Sequence, residues 1–423
     1  MFLNCFLLFV LILSFILCIY IEVKYLSPAI IFWIALTGVF LLPHLIYSLL
    51  LIKVDLKTVI KASLFVSSFN FLYFFTKVLI ISSIRKKPYN WVFNDVAISK
   101  NERINRFLIF CYLSGLAIWI LGLVFAGFNP FTARWADTLK VNTVFSQVGN
   151  LLIFTASGLL LYNYIARKTW ILLMVIFLNL GCIVLLRARI LLIALLIPFV
   201  IVILYRNNKF NFKLKFLWLI LVFTFSIFFL QAFRWAGGIK DFSMKKIPAL
   251  VSTSVANMTG SHGEFHLVTE FYSIIEGNNT NPSFGQGRTY WRLMLFWLPT
   301  PIIPEPLKFI KPRDFAIDIY NFVYHTPLNK SGTTHPTFYG DLFANFGWIG
   351  ILMAVFWAFV SEFLDSIFSR NQAKLVFLLG CISTFYVIIA RGAIYNGSIN
   401  LIIPFFLISL MFYKYKIGKT VIF

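Results

Sequence analysis

Two arginines that stand four residues apart suit a defined chemistry, the binding of phosphate groups. Arg288 and Arg292 lie in a stretch that the sequence predicts to be helical, and side chains four apart project from one face of an α-helix. Each guanidinium can bind phosphate oxygens through two parallel hydrogen bonds, so the pair fits a diphosphate. The alternative is a pair of basic side chains that extend to a membrane surface.

Three more arginines stand where long apolar runs end. Arg187 and Arg189 lie in a short connection between two such runs, and Arg391 ends a third. A charge at the centre of a bilayer costs at least about 2.5–3.5 kcal/mol, so these side chains must lie at the membrane boundary or face an internal cavity. They are further candidates for an anion site, although basic residues also end helices for reasons of helix stability.

Acid–base chemistry has two candidates late in the sequence. His335 and Asp341 flank a five-residue stretch and can stand on either side of a turn as a base and its orienting partner; the alternative is that both are surface polar residues. His262 and His266 are four apart, a spacing that can hold a metal. The pattern is not His-Glu-x-x-His and no third ligand stands nearby, so we expect no metal site.

The composition excludes a soluble globular protein. Of the 423 residues, 60% are hydrophobic and 12% are charged, whereas soluble proteins have about 45–50% apolar and about 25% charged residues. The net charge is +22, but much of the excess lies between apolar runs, where it signals membrane topology and suits anionic lipids rather than nucleic acid. The five cysteines form no CxxC pair, and neither a phosphate-binding loop nor a dinucleotide fingerprint is present.

Eleven apolar runs approach the length of a membrane-spanning helix. A bilayer core about 30 Å thick requires about 20 residues in a helix. The chain is therefore predicted to be an all-α integral membrane protein with about 11 transmembrane helices. The predicted spans are 3–21, 29–52, 62–84, 107–128, 146–166, 169–186, 190–205, 216–233, 346–364, 375–390 and 401–413.

These spans divide the chain into three parts. Residues 1–233 contain the first eight spans, and residues 346–423 contain the last three and a cytoplasmic tail. The basic segments 85–106 and 206–215 fall on the same side as that tail, which the positive-inside rule makes cytoplasmic. Residues 234–345 are therefore predicted to form one large extracytoplasmic loop.

This loop is predicted to be partly helical, because structureless loops rarely exceed about 15 residues. Apolar residues from Phe265 to Ile275 recur at spacings of three and four, which predicts a helix. A second helix is predicted from Arg288 through Leu298, where a proline follows.

Charged residues inside the predicted spans are few. Lys77 lies within the third span, and we expect its ammonium to extend to the membrane surface. Glu362 is the main acid within a span. Ion-coupled carriers usually place carboxylates at mid-depth, so this scarcity argues against a transporter.

Five short motifs occur in order along the chain, between residues 187 and 350. They are Arg187-Ala188-Arg189-Ile190-Leu191-Leu192 at the start of a span, Gly285-Gln286-Gly287-Arg288-Thr289-Tyr290, Lys311-Pro312, Thr333-Thr334-His335-Pro336-Thr337-Phe338-Tyr339-Gly340-Asp341, and Asn345-Phe346-Gly347-Trp348-Ile349-Gly350. With the late outer loop among about eleven spans, they resemble the Wzy-type O-antigen and capsule repeat-unit polymerases. Asp341 stands where that family often has Glu, and Glu305 where it often has Arg.

The resemblance implies a GT-C-type glycosyltransferase that acts on the periplasmic face of the bacterial inner membrane. Such enzymes transfer a growing glycan from one undecaprenyl diphosphate to another lipid-linked repeat unit. The implied partners are undecaprenyl-diphosphate-linked oligosaccharide as donor and acceptor, membrane lipids and a polysaccharide chain-length regulator. No metal or nucleotide cofactor is implied.

The resemblance also gives roles to individual residues. The lipid diphosphate leaving group requires cationic stabilisation, for which the candidates are Arg288, Arg187, Arg189, Arg391 and Arg292. The acceptor hydroxyl requires a general base, for which the candidates are His335, Asp341 and Glu264. Tyr290 and Trp291 are candidates for stacking on sugar rings, although they can equally pack within the helix.

Two alternatives remain open at this point. An O-antigen ligase uses the same donor but transfers the glycan to a lipid A core. A lipid-linked oligosaccharide flippase belongs to a different class, and its outer loops are expected to be short, unlike residues 234–345.

Overall fold

The described residues are almost entirely helical. The structure is a computed structural model, and the residues it describes are 2–50, 55–85, 102–127, 148–149, 151–153, 158–186, 266–277, 285, 287–296, 298, 311–312, 315–325, 334–370, 372–411, 415–417 and 420–422. The predicted site residues Arg187, Arg189 and Glu264 lie outside these ranges.

The first half of the chain contributes seven described helices. They are α1 (Phe2–Lys24), α2 (Ile30–Leu36), α3 (Leu42–Leu50), α4 (Leu56–Ile80), α5 (Glu102–Phe125), α6 (Gly158–Ile165) and α7 (Thr169–Leu186). A π-helical turn over Thr37–Leu41 joins α2 to α3, and a second π-helical turn over Ile81–Arg85 follows α4.

The second half contributes shorter helices first and longer ones later. They are α8 (His266–Glu276), α9 (Arg288–Met294), α10 (Phe315–Val323), α11 (Thr337–Phe346), α12 (Met353–Arg370), α13 (Gln372–Ala390) and α14 (Ile394–Met411). A 3-10 turn over Gly347–Leu352 joins α11 to α12. Strands β1 (Tyr415–Ile417) and β2 (Thr420–Ile422) pair antiparallel, with Tyr415 opposite Ile422.

Five helical stretches among the described residues are long and apolar enough to cross a membrane. They are Asn4–Lys24, Ile30–Leu49, Leu56–Ser83, Asn105–Phe125 and Thr337–Ile367. Each overlaps a predicted span, so the sequence prediction of a helical membrane protein is confirmed. The last stretch begins at Thr337, inside the predicted outer loop, and so differs there from the predicted span 346–364. The predicted spans 190–205 and 216–233 lie outside the described residues.

The chain forms two compact units. The first contains Met1–Tyr89, Met258–Ile367 and Phe385–Ile399, and the second contains Asn90–Asn257, Phe368–Thr384 and Asn400–Phe423. The short helices α8 to α11, where the sequence predicts the site, belong to the first unit.

In the first unit, α11 is held by an aromatic core and a series of buried polar groups. The ring of Tyr339 lies 5.0 Å from that of Phe40 in an edge-to-face arrangement. Its hydroxyl donates a 2.7 Å hydrogen bond to Oδ1 of Asn70, and the Asn70 amide donates a 3.0 Å bond to Ser14. Because each buried polar side chain in this series gains a partner, α1 and α4 fix the position of α11 at little cost in desolvation.

The first unit also contains an ion cluster that corrects the expectation for Lys77. The lysine is fully buried, and its Nζ lies 2.8 Å from Asp365 Oδ2, 3.2 Å from Glu362 Oε2 and 3.8 Å from Glu22 Oε2. The Tyr73 hydroxyl donates a 2.6 Å hydrogen bond to Glu22. The ammonium does not extend to the surface, because three carboxylates on α1 and α12 compensate its charge inside the protein.

The second unit is held by close helix contacts. Gly115 of α5 faces Gly149 so closely that a Cβ on Gly115 would lie 2.9 Å from the Gly149 carbonyl oxygen. The Asn163 amide of α6 donates a 3.1 Å hydrogen bond to Asn105 of α5. Small residues that let backbones approach, and amides that bond across helices, are typical of packing within membranes.

Candidate functional site

The candidate site is built from helices α8 to α11 and from residues 391–395, which form a turn and the start of α14, all in the first unit. Helix α8 forms where apolar residues recur at spacings of three and four, as predicted. Its apolar face is buried at Val268, Phe271 and Ile275. Helix α9 begins after Gly287, which has a φ of 74°, and a Cβ at this position would lie 2.9 Å from the Phe346 ring, so larger residues are excluded. These constraints place the polar side chains of four helices in one region of the unit.

Asp341 lies in a buried hydrogen-bond network that joins α9 to α11. The Thr289 hydroxyl donates a 3.3 Å hydrogen bond to Asp341 Oδ1, and the Thr289 backbone N–H donates a 3.1 Å bond to Asn345 Oδ1. The Asn345 amide donates in turn to Thr289 Oγ1 at 3.1 Å and to the Asp341 carbonyl at 2.8 Å. The network therefore holds α9 at a fixed register against α11.

Tyr290 and Trp291 have different surroundings. The Tyr290 ring lies 5.2 Å from that of Phe346, and its hydroxyl accepts a 3.3 Å hydrogen bond from the Trp357 indole. Burial, together with the charge of Asp341, raises the pKa of Tyr290 well above its ordinary value. Trp291 is 52% exposed, so of the two predicted sugar contacts it is the one with an accessible ring.

Arg288 is bound to a buried acid of α10. Its Nη1 donates a 3.0 Å hydrogen bond to Asp318 Oδ2, and its guanidinium lies 6.0 Å from the centre of the Phe315 ring. The side chain of Arg288 is 32% exposed, whereas that of Asp318 is 2% exposed. Asp318 therefore offsets much of the charge that Arg288 could present to a phosphate.

Arg292 has different partners and a second cation beside it. Its Nη1 donates a 2.7 Å hydrogen bond to the Pro312 carbonyl, and its guanidinium stacks 4.6 Å from the centre of the Tyr395 ring. Lys311, the residue before Pro312, donates to the Leu298 carbonyl. Burial and the charge of Arg292 lower the pKa of Lys311. We call Arg292 and Lys311 the cation pair.

The cation pair lacks a neutralising acid within the part of the chain that the structure describes. The ion pairs found there include neither Arg292 nor Lys311. In the same ranges, Nε of Arg292 is buried and has no hydrogen-bond partner. A buried donor without an acceptor is unfavourable, so the Arg292 Nε–H is suited to bind a further oxygen acceptor.

Glu270 is a buried acid on α8 with a chain of partners. It is 3% exposed, and the Tyr324 hydroxyl donates a 2.8 Å hydrogen bond to its Oε1. The same hydroxyl lies 3.0 Å from Nε2 of His266, whose Nδ1 lies 2.7 Å from Oγ1 of Thr269. Burial raises the pKa of Glu270, while the hydroxyls of Thr334 and Tyr324 and the charge of Arg391 act in the opposite direction.

The turn before α14 connects the cation pair with Glu270. Gly392 has a φ of 94°, and a Cβ at this position would lie 2.5 Å from the Thr337 carbonyl oxygen, so the turn packs directly against the start of α11. The turn carries Arg391, whose charge acts on Glu270, and leads into the first turn of α14, where Tyr395 stacks on Arg292. Arg391 and Tyr395 are four residues apart, so their Cα atoms lie at most about 14 Å from each other.

His335 lies in the turn that precedes α11. It is half-buried, and its carbonyl accepts a 2.9 Å hydrogen bond from the Thr337 backbone N–H. The structure thus brings seven of the predicted site residues into one unit, namely Arg288, Arg292, Arg391, Tyr290, Trp291, Asp341 and His335. Within the described ranges, no group of three or more His, Cys, Asp or Glu side chains could hold a metal ion.

Sequence reasoning missed Glu270, Tyr324 and the role of Lys311. Glu270 gave one signal, because it is an acid within an otherwise apolar helical stretch. Lys311 stood in a quoted motif, but its proximity to Arg292 depends on how the chain folds between α9 and α10. Comparison with known families, with curated proteins and with solved structures finds no match to this chain.

Proposed function

We propose that the protein is a membrane glycosyltransferase that polymerises undecaprenyl-diphosphate-linked oligosaccharide repeat units. It acts on the periplasmic face of the bacterial inner membrane, in a GT-C-like arrangement of about 11 transmembrane helices with a large outer loop. The glycan of one lipid-linked oligosaccharide is transferred to another and extends an O-antigen or capsule-type polysaccharide. Membrane lipids and a chain-length regulator are the further partners.

The chemistry is a substitution at the anomeric carbon of the donor. The acceptor oxygen forms a bond to this carbon, while the bond from the carbon to the diphosphate oxygen breaks. The electron pair leaves with undecaprenyl diphosphate, and the proton of the acceptor hydroxyl passes to a base. Positive charge fixed at the leaving oxygens lowers the barrier, since removing one such group typically costs about 10²–10³ in rate.

The observation that carries this proposal is the cation pair. Arg292 and Lys311 are two cations without an ion-paired acid among the described residues, and a buried Nε of Arg292 lacks an acceptor. A diphosphate supplies both the charge and the acceptor oxygens. Arg288 is a weaker candidate for direct contact, because Asp318 is bound to it.

The first test is the reaction itself. Purified protein is mixed with a lipid-linked repeat unit in the absence of metal and nucleotide, and the glycans are separated by size. A ladder of longer glycans supports the polymerase. Transfer of the repeat only to an added lipid A core would mean a ligase, and a folded sample that makes no glycosidic bond would contradict both enzymes.

The cation pair is tested by substitution with a matched control. Arg292→Met and Lys311→Met are expected to lower the polymerisation rate about 100-fold or more. Both should also abolish the rise in melting temperature that inorganic pyrophosphate gives to the unsubstituted protein, since a bound ligand stabilises the folded state. Lys57→Met, an exposed lysine of the same unit, should behave as the unsubstituted protein.

The flippase is retained as a second candidate because of one observation. The described spans hold four charged side chains in a single buried cluster, Glu22, Lys77, Glu362 and Asp365, whereas the sequence pointed to few intramembrane acids. Buried charges within spans often mark transport pathways. Translocation of a fluorescent lipid-linked oligosaccharide across proteoliposomes, without any change in glycan length, would favour the flippase over the polymerase.

A further inference from the structure

We infer that Glu270 is the catalytic base that takes the proton of the acceptor hydroxyl, and that Tyr324 and His266 position it. This inference rests on the proposed glycosyl transfer and adds to it the residue that activates the acceptor. The sequence candidates for this role were His335, Asp341 and Glu264, of which Glu264 lies outside the described residues.

The first support is the arrangement of partners around the carboxylate. Tyr324 donates to Oε1 at 2.8 Å, while Oε2 is buried and has no well-oriented hydrogen-bond partner among the described residues. The Thr334 hydroxyl also acts on this carboxylate. A buried carboxylate oxygen without a well-oriented donor gains stability when a further donor arrives with a substrate. An acceptor hydroxyl supplies such a donor, and it supplies the proton as well.

The second support is that the orienting groups form a continuous series. The Tyr324 hydroxyl donates to Glu270 and lies 3.0 Å from Nε2 of His266. Nδ1 of His266 lies 2.7 Å from the Thr269 hydroxyl, which donates to the His266 carbonyl. Each orienting group is itself held by the next, which is the arrangement that positions catalytic bases in other enzymes. The partners of Asp341 are instead Thr289 and Asn345, which fix α9 against α11.

The third support is electrostatic. The titratable and charged groups that the described residues place around Glu270 are Tyr324, His266 and Arg391. Tyr272, two residues further along α8, faces His44 instead. Burial outweighs the hydrogen bonds and raises the pKa of Glu270, which brings it toward the range where a carboxylate is an effective base near neutral pH.

The step balances without a further reactant. The acceptor O–H proton moves to Oε2 of Glu270, the acceptor oxygen bonds to the anomeric carbon, and the diphosphate leaves with the electron pair. The negative charge that Glu270 loses reappears on the leaving group, which the cation pair faces in the proposed function. The proton later passes to water as the product departs.

The test compares Glu270→Gln with Glu276→Gln on the same helix. Glu276 accepts a 3.1 Å hydrogen bond from Thr58 and has no place in the proposed mechanism. We expect Glu270→Gln to lower the polymerisation rate about 100-fold or more, to keep the melting-temperature rise with pyrophosphate, and Glu276→Gln to keep both. Unchanged polymerisation in Glu270→Gln would overturn the inference.

The pH profile separates catalysis from a merely structural role. Since the base must be deprotonated, the rate falls as pH drops through the pKa of Glu270. Tyr324→Phe removes a hydrogen bond that favours the carboxylate, so we expect the acid limb of the profile to move to higher pH while the rate at high pH changes less. A limb that stays in place would overturn the inference, and this measurement remains decisive if Glu270→Gln does not fold.

The failure of this inference can be distinguished from the failure of the proposed function. If the unsubstituted protein makes a ladder and Glu270→Gln makes the same ladder, Glu270 is not the base but the polymerase stands. If the folded, unsubstituted protein makes no glycosidic bond with any acceptor, the proposed function fails and the inference fails with it.

Discussion

At the scale of single residues, the choice of partner decides what each arginine can do. Arg288 and Arg292 share one helix, yet Arg288 is bound to Asp318, whereas Arg292 donates to Pro312 and stacks on Tyr395. The charge of Arg292 also acts on Lys311. The sequence revealed the residue types and their spacing. It did not reveal that α10 supplies an acid to one arginine, because that contact joins residues that are 30 apart.

Arg288→Ala is expected to destabilise the protein, because it removes the cation that is bound to the buried carboxylate of Asp318. Removing one partner of a fully buried pair costs about 3–5 kcal/mol, and the partial exposure of Arg288 reduces this to about 1–3 kcal/mol. The double variant Arg288→Ala/Asp318→Asn should recover most of the loss. Melting temperatures of the four proteins in detergent form the required double-mutant cycle.

The same cycle also tests whether Arg288 contacts the substrate. If polymerisation returns together with stability in the double variant, the arginine acts through the fold. An Arg288→Ala protein that melts like the unsubstituted one but makes no polymer would contradict the structural role and would return Arg288 to the diphosphate site.

At the scale of elements, the site depends on turns that hold short helices against long ones. The apolar residues at spacings of three and four from Phe265 to Ile275 predicted a helix, and α8 is observed at His266–Glu276. The second predicted helix begins at Arg288 as expected, but the structure gives it only through Met294. The spacing of apolar residues predicts local structure only. The hydrogen bonds that fix α9 join Thr289 to Asn345, 56 residues away, and this spacing cannot predict them.

Gly392→Ala is expected to disrupt the turn that carries Arg391 and positions Tyr395 at the start of α14. A Cβ at this position would lie 2.5 Å from the Thr337 carbonyl, and the φ of 94° is unfavourable for alanine. A backbone conformation of this kind costs about 1–3 kcal/mol in a residue other than glycine. We expect a lower melting temperature and a lower polymerisation rate.

Gly38→Ala is the matched control for this substitution. Gly38 lies in the π-helical turn between α2 and α3, and a Cβ there would meet nothing within 4 Å. Alanine is the better helix former, so the variant should be as stable as the unsubstituted protein or slightly more stable. Equal effects of the two substitutions would contradict the role given to the 391–395 turn.

At the scale of the whole molecule, hydropathy predicted the membrane class but not the polar contacts between spans. Lys77 was expected to extend to the surface, and it is buried among three carboxylates from two other helices. Spans were recognisable from the sequence because each is apolar on its own. Which spans meet, and therefore which charges meet, is set by packing over separations of more than 280 residues.

Lys77→Met is expected to destabilise the first unit strongly. It leaves the carboxylates of Glu22, Glu362 and Asp365 without the ammonium they share, and breaking a buried pair in this way costs about 3–5 kcal/mol. Lys24→Met is the control, since the Lys24 ammonium lies only over the rings of Tyr20 and Tyr25. Melting in detergent should be much earlier for Lys77→Met than for Lys24→Met, and equal melting would contradict the role of the cluster.

The candidate site contacts one end of helix α4, and the ion cluster lies near its other end. Thr58, in its first turn, donates a 3.1 Å hydrogen bond to Glu276 of α8, and Lys77 lies 19 residues further along the same helix. At 1.5 Å per residue the two are about 28 Å apart, close to the thickness of the bilayer core of about 30 Å. If α8 faces the periplasm, the cluster must lie near the cytoplasmic boundary.

Cysteine accessibility tests this orientation directly. Lys57→Cys places an exposed thiol in the first turn of α4, and Ser82→Cys places one in the π-helical turn that follows α4. Both are made in a protein whose native cysteines are replaced by serine or alanine. In intact cells a thiol reagent that does not cross the inner membrane should label position 57 and not position 82, while inverted membrane vesicles should give the reverse. The opposite pattern would place α8 and its site in the cytoplasm, where the proposed lipid-linked polymerisation on the outer face could not occur.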